Sequence, residues 1–219
     1  MSISRAIPAR NSSCIVQLDD VSVELGGVDV LGGITLRVHP GEKIALAGRN
    51  GSGKSTLLGV MAGTQEHRRG IVHRRGRIAF VVQRSAVPNM LPVTVRDAVT
   101  MGRWAVRGAW RRLTPNDQSI VSSCIEALGL VGLEGRPLGE LSGGQRQRAL
   151  VAQGLAQNAD ILLLDEPAAG LDDRARELIG LAIDAEIARG AAVVHATHDD
   201  AVMGESDRLV RLEKGMLVE

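Results

Sequence analysis

The glycine-rich segment GRNGSGKS at residues 48–55 has the residue types and the spacing of a phosphate-binding loop. It lies between a short aliphatic stretch, IALA, and a segment with a helical pattern, which is the context that such a loop needs. Its glycines let the backbone wrap around an anion, Lys54 offers a positive charge to phosphates, and Ser55 offers a hydroxyl to Mg²⁺. We therefore predict nucleotide binding by one contiguous set of residues: Gly48, Arg49, Asn50, Gly51, Ser52, Gly53, Lys54, Ser55 and Thr56.

An acidic pair follows a second aliphatic run in ILLLDEP, residues 161–167. The run predicts a buried strand of a parallel sheet, and ligands of open α/β sheets bind at the carboxyl ends of such strands. We predict that Asp165 contributes to a Mg²⁺ shell and that Glu166 orients and polarises an attacking water. Two other strand-like segments end in polar residues, Gln83 after IAFVV and His198 after VVHAT, and a donor at His198 could reach a γ-phosphate.

The pentapeptide LSGGQ at residues 141–145 predicts an unusual helix start. Ser142 and Gln145 have the spacing of a capping box, which favours a helix. The two glycines between them oppose it, because each weakens a helix by roughly 1 kcal/mol relative to alanine. Glycines at a helix N-terminus leave free N–H groups open to an approaching anion, so the segment indicates a second anion-binding position.

The surrounding patterns predict the elements that hold these groups. Strand-like runs with glycine turns between residues 14 and 48 indicate an antiparallel meander feeding the buried strand IALA. Helical patterns dominate between residues 84 and 158, with capping signals at Thr94 and Thr114. Strand and helix alternate on both sides of that insert, which predicts an α/β core interrupted by a helical subdomain.

Composition excludes several classes of protein. The net charge of +1 over 219 residues gives no electrostatic case for nucleic acid as a partner. The N-terminus lacks the apolar stretch of a secretory signal, and no aliphatic run approaches the ~20 residues that span a bilayer. Cys14 and Cys124 lack any metal-ligand spacing and are expected to be reduced. The segment HRRGIVHRRGR, residues 67–77, contains His67 and His73 among arginines and holds no acidic or thiol residue, so it does not look like a ligand set.

In this order the motifs resemble the ATP-binding subunit of ABC transporters, over essentially residues 14–219. The resemblance rests on a set of segments: GRNGSGKST (48–56), Gln83, LSGGQ (141–145), ILLLDEP (161–167), AGLD (169–172) and THD (197–199). It implies an α/β fold with a P-loop NTPase core. That core has a RecA-like, mostly parallel sheet, an N-terminal antiparallel β subdomain and an inserted helical subdomain. The core would comprise residues 14–83 and 159–219, and the helical subdomain residues 84–158.

The resemblance also implies ATP and Mg²⁺ as cofactors and a head-to-tail homodimer. Four residues, Ser142, Gly143, Gly144 and Gln145, would contact ATP held by the phosphate loop of the other chain. Gln83 would sense the γ-phosphate, contribute to the metal shell and face the membrane partner. Asp172 would signal across the dimer, and His198 would hold the γ-phosphate and the attacking water.

Residues 83–104 and 107–117 look like the manganese and zinc uptake branch of that family. Iron-siderophore and cobalamin importers share much of this pattern, and the same residues could merely cap and pack helices. The resemblance implies an ATPase on the cytoplasmic face of a membrane, bound to an integral permease that an extracytoplasmic binding protein supplies. The alternatives are an iron-siderophore or cobalamin-type ATPase, a soluble ABC-type ATPase acting on ribosomes or DNA, and a binding module without turnover.

One position departs from the family pattern. Where an aromatic residue usually stacks on adenine, this chain has Leu25, and it contains no tyrosine. Stacking on a base is worth roughly 1–3 kcal/mol in nucleic-acid complexes. We predict that Leu25 gives only apolar contact, so that adenine binding is weaker and ATP and GTP are poorly distinguished. Competition between the two nucleotides measures this, and a hundredfold preference for ATP would contradict it.

Overall fold

The computed structural model describes residues 14–82, 93–108, 110–198 and 203–218. These residues form two β-sheets and five α-helices. The strands are β1 Val16–Leu25, β2 Val28–Val38, β3 Lys43–Ala47, β4 Arg69–Arg74, β5 Ile78–Val81, β6 Ile161–Asp165, β7 Ala192–Thr197, β8 Arg208–Glu213 and β9 Met216–Val218. The helices are α1 Lys54–Ala62, α2 Val95–Arg107, α3 Pro115–Ala127, α4 Gly143–Leu155 and α5 Asp173–Ala188.

The larger sheet has six strands in the order β5-β6-β7-β3-β8-β9. All neighbours are parallel except β9, which closes a hairpin with β8 at one edge. The register pairs Ala47 with Thr197 and Asp165 with Ala196, so β3, β6 and β7 end nearly level at their carboxyl ends. The phosphate loop, the acidic pair and His198 therefore all follow the carboxyl ends of these strands and lie on the same side of the sheet, as the motifs predicted.

This sheet lies between two hydrophobic cores. Along β6, Leu162 and Leu164 enter the core shared with the helices α2 to α5, whereas Ile161 and Leu163 enter the core shared with α1 and the smaller sheet. Both faces of the strand are thus buried, which explains why its sequence is continuously aliphatic rather than alternating.

The smaller sheet has three antiparallel strands in the order β2-β1-β4. It confirms the predicted antiparallel β subdomain. The strand-like runs IVQL and VSVEL, residues 15–18 and 21–25, contribute to one continuous strand, β1, because irregular pairing near Asp20 bends the strand without ending it. The backbone of Asp20 is left-handed there, with φ 51°.

The three α-helices described in the helical part, α2, α3 and α4, each begin with a capping box. The side chains of Thr94, Thr114 and Ser142 each accept a hydrogen bond from the residue three positions later, and each of those residues returns one. Pro115 occupies the first turn of α3, a position that proline favours in helices. The predicted fold class is confirmed, while the division of the chain at residues 83/84 and 158/159 stays a prediction.

A buried ion pair that the sequence did not indicate ties these helices together. Asp117 on α3 accepts two hydrogen bonds from Arg103 on α2, at 2.9 and 2.8 Å, and lies 3.2 Å from Arg107. Arg103 also donates to the carbonyl of Ala156 after α4, at 2.8 Å. Hydrogen bonds from Thr114, with further help from the two arginines, hold the pKa of Asp117 well below its ordinary value. The ion pair fixes the three helices relative to one another.

Among the residues that the structure describes, no helix is long and apolar enough to cross a membrane. Cys14 is buried, Cys124 is partly buried, and neither forms a disulfide with another described residue. Strand β4, which carries His73, is a largely exposed strand, and no metal-binding group of side chains is found in the described parts of the chain.

Strand β7 carries His195, a buried histidine whose Nε2 lies 3.1 Å from Ser206 Oγ. Burial, and then the charge of Lys43, lowers its pKa to about 4 from 6.5. Between these two pH values the unfolded chain binds more protons than the folded one, so the free energy of unfolding falls as the pH drops through this window. At 1.36 kcal/mol per pKa unit, roughly 3 kcal/mol depends on it.

We expect urea denaturation to give a lower free energy of unfolding at pH 4.5 than at pH 7, by an amount that His195→Gln largely removes. The glutamine can keep a contact with Ser206 but does not titrate. An unchanged pH dependence in the variant would show that carboxylates, not His195, cause the loss.

Candidate nucleotide-binding site

The loop between β3 and α1 is built as a cradle for an anion. Lys54 is the first residue of α1, is 5% exposed, and folds back so that Nζ donates to the carbonyls of Gly48 at 2.7 Å and Arg49 at 3.4 Å. No side chain caps the helix, whose N-cap residue is Gly53, so its first N–H groups are available to a ligand. Ser52 adds a buried hydroxyl without a hydrogen-bond partner in the described structure.

Two glycines of the loop, Gly48 and Gly53, are required by the strands behind it. A Cβ on Gly48 would lie 2.4 Å from the carbonyl oxygen of Leu212 on β8, a backbone atom that cannot yield. Gly53 has a φ of 106°, and a Cβ there would lie 2.8 Å from Leu31 on β2. Gly53 is therefore fixed both by its left-handed backbone and by close packing.

The carboxyl end of β6 brings the acidic pair against this cradle. Asp165 is 5% exposed and accepts a hydrogen bond from Ser55. Burial raises the pKa of Asp165, and the charge of Glu166 adds to this, against the hydrogen bond from Ser55 and the charge of Lys54. Because burial disfavours the ionised form of Asp165, a hard cation bound there would stabilise that form. The Ser55 hydroxyl beside it offers a second oxygen ligand.

Glu166 lies between two basic groups. Its Oε1 is 3.6 Å from Lys54 Nζ and 3.9 Å from His198 Nδ1. Its backbone is left-handed, with φ 50°, a conformation that costs energy in a residue other than glycine and turns the chain sharply at the end of the strand. The Glu166 side chain is 13% exposed and that of His198 is 64% exposed, so the group opens toward solvent on the side of His198.

Five residues predicted from separate motifs thus meet at one edge of the sheet: Lys54, Ser55, Asp165, Glu166 and His198. Lys54 and the helix N–H groups provide positive charge and hydrogen-bond donors for phosphates. Ser55 and Asp165 provide two oxygen ligands for a cation, and Glu166 places a carboxylate next to the side of the site that opens to solvent. Their catalytic roles stay predictions, and Gln83 lies outside the described residues. Leu25 ends β1 and is 41% exposed, in the hairpin whose second strand packs behind Gly53.

The LSGGQ segment is a separate site on the helical part. Gln145 N–H donates to Ser142 Oγ at 3.2 Å, and Ser142 N–H donates to Gln145 Oε1 at 3.0 Å. Both Ser142 and Gly143 are exposed. Within the described ranges, no hydrogen bond or ion pair joins residues 141–145 to the phosphate loop. The described structure therefore shows no direct polar link within one chain between the two helix starts that were predicted to bind anions.

Leu171 lies close to this segment, a proximity that the sequence did not indicate. A Cβ on Gly144 would lie 3.5 Å from Leu171 Cδ2. The next residue, Asp172, is exposed and caps α5 by accepting a hydrogen bond from Ala175 N–H at 2.8 Å. Motif spacing could not reveal this proximity, because Leu171 and Gly144 belong to different elements.

A sequence model of the family described as ABC transporter matches residues 31–169, well over half of the chain. The chain belongs to the ABC transporter family. The match contains the phosphate loop, the LSGGQ segment and the acidic pair, and it confirms the resemblance stated above. This membership confirms the predicted enzyme class, an ATPase.

Curated relatives cover most of the cassette. The hemin import ATP-binding protein of Streptomyces coelicolor is 37% identical over 96% of this chain and 79% of its own length. The zinc import ATP-binding protein of Halorhodospira halophila is 37% identical over 93% of the chain and 75% of its own length. The manganese transport system ATP-binding protein of Halalkalibacterium halodurans is 32% identical over 93% and 84%.

Solved structures share the fold of the cassette. A structure described as the inward-facing conformation of a proposed metal-chelate type ABC transporter has a TM-score of 0.81 at 26% identity, covering 94% of this chain and 82% of its own. A dimeric ATP-binding cassette bound to ADP and phosphate has a TM-score of 0.82 at 25% identity, covering 93% and 97%.

Replacing Gly53 by alanine should damage the phosphate cradle. The new Cβ would meet Leu31 and strain the backbone, at a cost of the order of 1–3 kcal/mol. We expect the affinity for a fluorescent ATP analogue to fall at least about tenfold, since 1.4 kcal/mol suffices for that change.

Gly132→Ala is the matched control. Gly132 also has a positive φ, 83°, but no atom lies within 4 Å of its hypothetical Cβ. This variant should bind the analogue normally, and an equal loss in both variants would refute the role of the packing against Leu31.

Proposed function

We propose that this chain is the ATP-hydrolysing subunit of a membrane transporter that imports a divalent metal such as zinc or manganese. The observation that carries the proposal is the position of Glu166, between Lys54 and His198 at the mouth of the phosphate cradle. The choice of substrate is supported by the relatives that act in zinc import and manganese transport.

Ser55 and Asp165 would hold the Mg²⁺ that accompanies ATP, with Gln83 as a further ligand predicted from the sequence. Both Ser55 and Asp165 offer hard oxygen atoms, which this cation prefers. When bound, the ion would neutralise charge between the β- and γ-phosphates. The unfavourable ionisation of buried Asp165 would be offset there by a positive partner.

The protein's own groups account for the rest of the reaction. Lys54 and the uncapped N–H groups of α1 bind the phosphates and hold them in place. Glu166 accepts a proton from the attacking water, oriented by its contacts on both sides. His198, exposed at the rim, donates a hydrogen bond to the γ-phosphate and positions the water on it.

A second copy of the chain completes the site. The exposed helix start at Ser142, Gly143 and Gly144 is one anion-binding position more than a single chain needs, since residues 48–55 already form a cradle. We propose that it contacts the ATP bound to the partner in a head-to-tail homodimer, with Gln145 holding Ser142 in place. Asp172 would report closure, because Leu171 beside it lies close to Gly144 at the start of the same helix.

The membrane partner would dock on the helical part. An apolar groove of about 250 Å³ lies between β5, α2 and α4, and Phe80, Met101 and Leu150 are among its lining residues. We propose that an integral permease inserts an apolar element there. The cassette would then be peripheral on the cytoplasmic face, and an extracytoplasmic binding protein would deliver the metal.

Import of hemin or another metal chelate is the second candidate. It is favoured by the hemin relative, which is as similar as the zinc relative, and by the solved metal-chelate type transporter. Reconstitution with the permease and uptake of radioactive zinc or manganese, compared with hemin, distinguishes the two. The ATPase chemistry is the same in both.

The experiment that tests the ATPase site uses Glu166→Gln. Loss of a general base lowers a rate by about 10²–10⁴, so we expect ATP hydrolysis to fall at least a hundredfold while ATP binding persists. The variant should accumulate as an ATP-bound dimer in light scattering. Retained hydrolysis would overturn the assignment of Glu166.

Ser142 variants in the same background test the dimer. Ser142→Arg blocks the helix start, and Ser142→Asp keeps the helix cap while placing a negative charge against phosphate. We expect both to bind ATP as separated subunits and to lose the ATP-dependent dimer. Equal loss of ATP binding would show that the segment serves its own chain.

A further inference from the structure

The loop between α2 and α3 presents an unusual surface, which we call the Trp110 loop: Arg107, Trp110, Arg111 and Arg112. The Trp110 side chain is 100% exposed, whereas the next most exposed large hydrophobic residue in the described structure, Val131, is at 67%. Tryptophan has the largest side chain, so a fully exposed tryptophan leaves more apolar surface in water than any other residue would. Such a position needs an explanation.

The Trp110 loop is also positively charged without compensation. The sequence contains no acidic residue between Arg107 and Leu113, and the first one after it, Asp117, is already occupied by Arg103 and Arg107. Arg111 and Arg112 are exposed and form no ion pair with the described residues. The tip therefore combines one large amphipathic ring with two free guanidinium groups.

The ends of the loop are held firmly. Arg107 reaches back to Asp117, and Thr114 caps α3, so the buried ion pair anchors both sides of the turn. The exposed tip is consequently presented by a fixed frame rather than by a loose tail. The same helix, α2, lines the groove proposed for the permease through Met101, nine positions before Trp110.

The chemistry of the tip fits one kind of partner best. Tryptophan rings settle at the headgroup level of a bilayer, and guanidinium groups bind lipid phosphates. A stable protein interface buries about 800 Å² on each side and needs a complementary shape, which one protruding turn does not offer. A nucleic acid requires a broad basic surface, whereas the whole chain carries a net charge of only +1.

We propose that the Trp110 loop binds the surface of an anionic membrane, with the Trp110 indole among the headgroups and Arg111 and Arg112 on lipid phosphates. The inference rests on the proposed function only in that the protein works beside a membrane. Binding of the Trp110 loop to lipid would orient the helical part toward the bilayer independently of the groove and the permease.

The test uses the whole chain and phospholipid vesicles. In a Trp104→Phe background Trp110 is the only tryptophan, so its fluorescence reports on the loop alone. We expect the emission to shift to shorter wavelength with phosphatidylglycerol vesicles and not with phosphatidylcholine vesicles. The shift should shrink between 50 and 500 mM salt, because exposed charges are screened.

Charge reversal identifies the residues responsible. Each basic residue near an anionic surface is worth about fivefold in partitioning, so Arg111→Glu with Arg112→Glu should lower vesicle binding at least tenfold. Arg37→Glu with Arg211→Glu is the matched control. Those two arginines are also exposed and without described ion pairs, but they lie on strands β2 and β8, and their reversal should have little effect.

Four results would overturn the inference: equal weakening by the two double variants, full displacement by millimolar inorganic phosphate, no preference for anionic lipid, or binding only to vesicles that contain the permease. The last would assign the loop to a protein partner. ATP hydrolysis measured without lipid should be the same in the wild type and in the Trp110-loop variants. If the protein hydrolyses ATP but does not bind lipid, only the lipid contact is refuted. If it binds lipid but does not hydrolyse ATP, only the proposed function is refuted.

Discussion

The candidate site depends on the parallel alignment of three strands at one edge of the larger sheet. Strand β7 lies between β3 and β6, and the register brings their carboxyl ends level. This alignment is what places the Lys54 ammonium 3.6 Å from the Glu166 carboxylate, although 112 positions separate them in the chain. A shift of one strand would separate the phosphate cradle from the groups that act on a bound phosphate. The two cores on either side of β6 hold this alignment in place.

At the carboxyl ends of these strands, a buried carboxylate lies close to hydrogen-bond donors that are unpaired among the described residues, and one ligand could stabilise both. Burial makes the ionised form of Asp165 unfavourable, and Lys54 compensates only in part. The N–H groups at the start of α1 and the hydroxyl of Ser52 have no partners of their own in the described structure. A polyphosphate with a divalent cation supplies anionic oxygens to the N–H groups and positive charge to the carboxylate. These N–H groups and the Ser52 hydroxyl are therefore groups to which a bound ligand would supply hydrogen-bond partners.

The helical part presents three different surfaces from one rigid frame. The ion pair between Asp117 and Arg103 fixes α2, α3 and the end of α4 relative to one another. On that frame lie the exposed LSGGQ helix start, the apolar groove and the Trp110 loop. Because the three helices are tied together, an event at one surface can be transmitted to the others as a rigid movement, whereas independent helices would absorb it.

The sequence alone determined the features that depend on neighbours in the chain. The spacing in residues 48–55 predicted the loop, each capping box predicted a helix start, and the unbroken run at 161–165 predicted a strand buried on both faces, because backbone geometry and local hydrogen bonds set all of these. Only the tertiary structure decided which elements meet. It placed Leu31 and Leu212 behind the glycines of the loop, paired Asp117 with Arg103, and set Leu171 against Gly144. Such contacts follow from strand order and helix packing over long separations, which no local pattern encodes.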